Sequence, residues 1–158
     1  MPTMNEAVQD FLNRERIAVV GVSRTKEGAA GANYRKLKGA GYRVFPVNPH
    51  AESFDGDPCY PDLRAIPGGV EGVLIVTRPQ VTDELVRQCA ELGISRVWMH
   101  QSFQRAGSSV SEQAVAFCRQ NNIAAIPGGC PMMFCRPDFG HTCMRWMLNL
   151  MGQLPKQV

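Results

Sequence analysis

Long apolar runs are missing from this sequence of 158 residues. No stretch approaches the roughly 18 to 20 continuous apolar residues that a membrane-spanning helix requires. The start of the chain also lacks the basic region and long apolar segment of a secretory signal peptide. We therefore expect a soluble, cytoplasmic protein with no membrane partner.

Concentrated positive charge is missing as well. The 17 Lys and Arg residues against 14 Asp and Glu leave a formal net charge of +3, and no basic run with interleaved aromatic residues marks a nucleic-acid surface. We expect no nucleic-acid partner, whereas a small anionic ligand fits this charge balance. The length suits one domain that buries a core without disulfides or metals, so residues 1–158 are predicted to form a single domain.

Catalytic and metal-binding motifs are scarce. The six cysteines form no Cys-x-x-Cys pair, and in a cytosolic domain they are more often reduced thiols than disulfides. Cys130, Cys135, His141 and Cys143 lie close together, but their spacing differs from that of structural zinc sites, and we predict no metal. The sequence shows no Walker loop and no Gly-x-Ser-x-Gly elbow, so no motif identifies an enzyme.

The sequence does contain strand-like segments that alternate with helical ones. A first helix follows Thr3, and later helical patterns separate most of the strands. Strands that alternate with helices pair in parallel through right-handed crossovers. We therefore predict an α/β fold with a doubly wound, Rossmann-like, mainly parallel five-stranded sheet. The strands are apolar runs at residues 16–21, 42–47, 72–77, 95–99 and 123–126, and the later helices are at 32–40, 81–92 and 111–120.

Two connections have local patterns of their own. Residues 50–71 are rich in Pro and Gly and are predicted to hold one short turn at residues 62–66. The sequence Ser109-x-x-Glu112 predicts a capping box at the start of the helix that follows.

The end of the chain departs from the strand and helix alternation. The sheet core is predicted over residues 16–126, followed by an irregular segment at 127–140 and a closing helix at 141–151. Four apolar residues of that helix repeat at helical spacing, and we predict that they pack into the core. They are Met144, Met147, Leu148 and Met151.

The loop after the first strand, residues 21–31, is the strongest binding candidate. Ligands of open doubly wound sheets bind beside the carboxyl ends of the strands. The glycines of this loop permit tight turns, and the helix start that follows favours phosphate. Ser23 adds a hydroxyl group, and Arg24 and Lys26 add positive charge.

A nicotinamide site is the first alternative for this loop. The dinucleotide fingerprint is Gly-x-Gly-x-x-Gly with an acidic residue near the end of the second strand. Here Ser23 takes the place of the second glycine, and the second strand ends in Val47, Asn48 and Pro49 without a carboxylate. Both departures weaken the hypothesis of an NAD(P)-binding oxidoreductase, which stays as an alternative.

Four motifs in this order resemble a known family. Val-Val-Gly-Val-Ser-Arg at 19–24, Phe-Pro-Val-Asn-Pro at 45–49, Val-Thr-Arg-Pro at 76–79 and Val-Trp-Met-His-Gln at 97–101 resemble the small stand-alone CoA-binding proteins. Their domain is similar to the CoA-binding domain of the succinyl-CoA synthetase alpha subunit. The resemblance covers nearly the whole chain, and the segments Gly-Gly-Cys-Pro-Met-Met-Phe and Pro-Asp-Phe-Gly-His resemble the bacterial branch.

The resemblance implies non-catalytic binding of coenzyme A or acyl-CoA. The loop after the first strand would hold the phosphates, the end of the second strand would face the adenosine, and Gln101 would lie toward the pantetheine arm. Arg78 could pair with a phosphate through its planar guanidinium. A homodimer or an unknown protein partner stays open. The implied cofactor contacts are Gly21, Val22, Ser23, Arg24, Lys26, Val47, Asn48, Pro49, Thr77, Arg78, Pro79 and Gln101.

Cys130 keeps a third function open. It follows the last strand, so its thiol could approach the same rim, with His100 as a base and His141 orienting a neighbouring segment. The chain would then be a CoA-linked thiol enzyme or redox protein. The alternative, a small residue that fills a tight turn, is the interpretation we favour.

Overall fold

The computed structural model describes residues 2–25, 27–102, 107–135, 139–152 and 154–158, without the side chains of positions 139–141 and 144. Five α-helices and seven strands occupy these ranges. The helices are α1 (Met4–Leu12), α2 (Ala29–Gly39), α3 (Pro79–Glu91), α4 (Glu112–Gln120) and α5 (Phe139–Leu150). The strands are β1 (Arg16–Val20), β2 (Arg43–Val47), β3 (Ser53–Phe54), β4 (Asp57–Pro58), β5 (Gly72–Ile75), β6 (Arg96–Met99) and β7 (Ala124–Pro127).

The main sheet has five parallel strands in the order β2-β1-β5-β6-β7. The predicted α/β, doubly wound, Rossmann-like sheet is confirmed. Val20 pairs with Val47 on one side and with Ile75 on the other, so β1, β2 and β5 end at one level. The chain leaves β1 toward β2 and later returns to the opposite side of β1, which makes this edge the switch point where such sheets bind ligands.

The sheet is covered on both faces, which explains its continuous apolar strands. Along β1, Ile17 and Val19 belong to the core layer shared with α1 and α2, whereas Ala18 and Val20 belong to the layer shared with α3 and α4. This alternation is the two-residue period of a strand. The central strands are therefore fixed from both sides, and the loops at their carboxyl ends start from a rigid base.

The link between β2 and β5 contains the predicted short turn and a hairpin that was not predicted. Asp62 accepts a hydrogen bond from the Ala65 N–H and caps a single 3₁₀ turn, Leu63–Ala65. Strands β3 and β4 form an antiparallel hairpin whose turn residues, Asp55 and Gly56, both have positive φ angles, 50° and 84°. Asp-Gly is a favoured pair for such a turn.

The predicted capping box at Ser109 is wrong. Ser111 is the residue that caps α4, because its side chain accepts a hydrogen bond from the Ala114 N–H. Ser109 is buried, and its Oγ accepts the N–H of Thr77 at 2.9 Å. A tertiary contact with the end of β5 therefore occupies the side chain that local spacing assigned to the helix cap.

The predicted core stripe of the closing helix is only partly correct. Leu148 is buried, but Met147 and Met151 are 39% and 56% exposed, and the side chain of Met144 lies outside the described residues. The Met151 N–H still donates to the Met147 carbonyl at 2.9 Å, so the two methionines lie on the same face of the helix, and that face is exposed. Within the described ranges, no helix has both the length and the apolar character needed to cross a membrane.

Candidate functional site

The turn after β1 is built around Gly21. Its N–H donates to the Val47 carbonyl at 3.1 Å, its φ angle is 107°, and a Cβ atom placed on it would lie 2.0 Å from the carbonyl oxygen of Val76. Only glycine tolerates both the angle and the close approach. The turn is thus fitted between the ends of β2 and β5.

A cleft of about 350 Å³ opens at this turn. It lies between the carboxyl ends of β1, β2 and β5 on one side and α3 on the other. The structure brings half of the predicted cofactor contacts together here. They are Gly21, Val22, Val47, Asn48, Pro49 and Thr77.

Asn48 ties two loops of the cleft together. Its Nδ2 donates to the Val22 carbonyl at 2.6 Å, and its Oδ1 accepts the His50 N–H at 2.7 Å. An aspartate at this place would lose the donor and set two oxygens against each other. The end of β2 lacks the acid of the dinucleotide fingerprint, and the two hydrogen bonds of Asn48 give this absence a structural reason.

The loop between β1 and α2 carries the predicted phosphate contacts. Ser23 Oγ lies 2.8 Å from Thr25 Oγ1 and accepts the Thr25 N–H at 3.2 Å, while Arg24 is exposed. Lys26 lies outside the described residues. The cap residue of α2 is Gly28, which has no side chain to cap the first turn, and a helix start of this kind favours an anion.

Arg78 and Pro79 form the start of α3. Arg78 is the exposed residue before the first turn and Pro79 opens that turn, a position where proline loses no helical hydrogen bond. Ser109 fixes this start, because its carbonyl accepts the Thr82 hydroxyl at 2.8 Å in addition to the Thr77 contact described above. Arg78 is not among the residues that line the cleft, although its neighbour Thr77 is.

Gln101 lies farther along the sheet edge. Its N–H donates to the Gly129 carbonyl at 3.0 Å, and its Oε1 would be 3.3 Å from a Cβ atom on Gly128. It follows β6, which is separated from β1 by β5. Only an extended ligand could contact both the loop after β1 and Gln101.

The sequence prediction missed one wall of the cleft. The residues of α3 that line it have the i, i+3, i+4, i+7 spacing of one helix face, and this spacing could have identified them once α3 was placed beside β1. They are Val81, Glu84, Leu85 and Gln88. The other two missed residues, Pro61 and Asp62, come from the link after β2.

Cys130 does not face this cleft as a reactive thiol. It is 4% exposed, its Sγ lies 3.6 Å from both side-chain polar atoms of Asn33, and burial raises the pKa of its thiol. A raised pKa leaves little thiolate at neutral pH, which disfavours the thiol-enzyme alternative.

The two histidines named with Cys130 differ in what the structure describes. His100 is 2% exposed, and burial lowers its pKa to about 4, whereas the side chain of His141 lies outside the described residues. Within the described ranges, no group of three or more His, Cys, Asp or Glu residues is arranged to hold a metal.

One protein family and several known proteins are similar to this chain. Residues 15–136 match the family described as "CoA binding domain". The ADP-forming acetate–CoA ligase II of Archaeoglobus fulgidus is 31% identical over 109 residues, 66% of this chain but only 16% of the ligase. The uncharacterized protein YneT of Bacillus subtilis is 24% identical over 124 residues, 78% of this chain and 87% of YneT.

A solved structure supports the same relationship. A hypothetical protein from Pyrococcus horikoshii OT3 has a TM-score of 0.74 and 27% identity, and the match covers 83% of this chain and 88% of that chain. These relatives come from archaea and from a bacterium, so membership of the bacterial branch stays a prediction. The family match extends from the start of β1 to the segment after β7 and includes the whole cleft. The chain therefore belongs to the CoA-binding domain family.

Proposed function

We propose that this chain binds coenzyme A or an acyl-CoA, without catalysing a reaction on it, through the cleft and the loop after β1. The observation that carries the proposal is the Gly21 turn, which is fitted against Val76 and opens directly onto the cleft. In a CoA-binding family, a turn of this kind lets the backbone approach a phosphate closely. The nicotinamide alternative has no acidic residue at the end of β2 to support it.

The charges around the site suggest how the cofactor lies. Its phosphates would face the loop and the start of α2, where Arg24 and Lys26 supply positive charge. Arg78, the exposed residue before the first turn of α3, would supply a further positive charge. The adenosine would enter the cleft beside Val47 and Pro49. The pantetheine arm would run along the carboxyl edge of the sheet, past the ends of β5 and β6, toward Gln101.

The ligase relatives support a binding role for this chain. The matched region is a small part of the Archaeoglobus ligase, so the ligase reaction itself is not carried over. Among the described residues that line the cleft there is no Cys, Ser, His or Lys. A homodimer or a partner protein that receives the cofactor stays a prediction, as does the cytoplasmic location.

Calorimetric titration of ligand-stripped protein tests the proposal. We expect heat with CoA and with acetyl-CoA and none with NAD or NADP. Arg78→Gln should weaken CoA binding about tenfold, the loss of a charge-assisted contact to phosphate. Arg87→Gln removes an exposed arginine farther along α3, outside the cleft, and is the matched control.

The outcome that contradicts the proposal is equally definite. The absence of both heat and a thermal shift with millimolar CoA would refute binding. Release of free CoA from acetyl-CoA by the protein alone would instead refute the non-catalytic part.

A further inference from the structure

Gln88 ends the face of α3 that lines the cleft. Its side-chain oxygen, Oε1, is buried and has no hydrogen-bond partner among the described residues. Buried acceptors are nearly always paired, and one left without a partner costs stability. An unpaired buried acceptor that lines a cleft is a candidate to accept a hydrogen bond from a ligand.

Two of the other polar side chains of the cleft, those of Asp62 and Glu84, are carboxylates, which accept hydrogen bonds. The other two, those of Asn48 and Thr77, already donate to backbone carbonyls of the protein. None of the lining residues among those described is Lys or Arg. The remaining lining residues are apolar, and they include Val81 and Leu85 from α3 and Pro49 and Pro61 from the link after β2. Such a lining repels phosphate and fits a flat apolar ring that donates hydrogen bonds.

We propose that Gln88 is the residue that recognises the base of the bound cofactor, its Oε1 accepting a hydrogen bond from the exocyclic amine of adenine. Adenine is a flat ring with an amine donor on its edge, and glutamine amides pair with that edge. This inference rests on the proposed function, because the adenine belongs to the CoA that the cleft would hold. It adds a specificity-determining residue on α3 to the contacts from β1, β2 and the loop.

The position of Gln88 suits this role. It is the lining residue of α3 most distant from the start of that helix, and Arg78 stands at that start. A cofactor whose phosphates lie near Arg78 therefore points its base toward Gln88. A site built to pair a polar group of its ligand rejects an analogue that lacks the group, since its own buried atom then stays unpaired.

The test combines one change in the ligand with one change in the protein. The ligand change replaces the adenine of CoA by purine, with hydrogen in place of the amine. The protein change is Gln88→Met, which keeps the shape of the side chain and removes its amide. Gln113→Met is the control, because Gln113 is an exposed glutamine of α4 outside the cleft.

Calorimetry should show that the wild type and Gln113→Met bind CoA about tenfold more tightly than the purine analogue. Gln88→Met should bind both ligands equally, at the affinity that the wild type has for the analogue. Equal discrimination by Gln88→Met and the wild type would overturn the assignment of Gln88. Equal binding of both ligands by the wild type would do the same, and this arm needs no variant to fold.

These outcomes are separate from those of the proposed function. If the wild type does not bind CoA, the proposed function fails. If it binds CoA and the discrimination does not depend on Gln88, only the present inference fails. The free Gln88→Met protein should unfold at the same temperature as the wild type or at a higher one, because it no longer buries an unpaired oxygen.

Discussion

A Cβ atom on Gly21 would lie 2.0 Å from the carbonyl oxygen of Val76. Real Cβ atoms do not come this close to a carbonyl, and the backbone of the β5 end cannot give way without disturbing the sheet. The contact between the two residues therefore sets the distance between the loop after β1 and the end of β5. Gly21 begins that loop and also lines the cleft, so a change at Gly21 alters the shape of both.

Gly21→Ala should accordingly damage both the fold and the binding site. The positive φ angle and the clash together should lower the free energy of unfolding by about 2 to 4 kcal/mol. Urea unfolding followed by circular dichroism measures the loss. Any folded Gly21→Ala protein should bind CoA at least about tenfold more weakly, because the turn must move.

Gly39→Ala is the control for this substitution. Gly39 is the last residue of α2, and a Cβ atom there would have no neighbour within 4 Å. Alanine in a helix is favoured over glycine, so stability should rise by about 0.5 kcal/mol. If both alanine variants were as stable as the wild type, the close fit at Gly21 would be disproved.

The main sheet could be predicted because buried parallel strands have a simple sequence pattern. Each of its five strands lies within two residues of the predicted bounds. A short apolar run that ends at glycines or charged residues is the pattern of a strand buried on both faces. The strand order then puts the candidate site at the carboxyl ends of β1, β2 and β5. The loop at Gly21 could be selected as a candidate from its glycines and its position after the first strand alone.

Side chains whose partners come from distant segments could not be predicted in the same way. Ser109 has the local spacing of a helix cap, yet it bonds to Thr77, 32 positions away in the chain. Gln88 looks like any polar residue of a surface helix until the helix is packed against β1. Met147 on α5 is the opposite case, since its helical spacing predicts a core residue but it is exposed. Periodicity does not show how wide the covered face of a helix is.

Asn48→Asp tests the bridge between the two loops of the cleft. The aspartate keeps an acceptor for the His50 N–H but sets an oxygen against the Val22 carbonyl, where the amide now donates at 2.6 Å. We expect a loss of about 1 to 3 kcal/mol in the free energy of unfolding and weaker CoA binding. Asn5→Asp adds the same charge at an exposed place in the first turn of α1, beside Arg145. It should leave CoA binding unchanged and should not lower stability, because a negative charge is favourable at the start of a helix. Tight NAD binding by Asn48→Asp would contradict the structural role of this amide.

The cysteines should differ sharply in reactivity. Cys143 is exposed, whereas burial raises the pKa of Cys89 to about 12 and that of Cys118 to about 11, and it raises the pKa of Cys130 as well. Brief treatment of the native protein with iodoacetamide should therefore modify Cys143 and leave the other three intact, as peptide mass spectrometry would show. Cys143→Ser should abolish the fast reaction. Fast modification of Cys130 would restore the thiol-enzyme hypothesis.

His100 should make stability depend on pH. Burial lowers its pKa from 6.5 to about 4, while the Gly107 backbone partly opposes the shift, and its Nδ1 has no partner among the described residues. Between these two values the unfolded chain binds a proton that the folded protein does not. Stability is therefore complete above pH 6.5 and declines as the pH falls toward 4.

His100→Gln should remove this part of the pH dependence while keeping a side chain that can donate to the Gly107 carbonyl. Between pH 7.5 and pH 4.5 the wild type should lose about 2 to 3 kcal/mol more than the variant in urea unfolding. Carboxylates whose pKa values are lowered in the fold, such as those of Asp10 and Glu71, contribute equally to both proteins and cancel in the difference. Parallel pH profiles for the two proteins would mean that His100 can be protonated in the folded state, and that the pocket around it admits a charge.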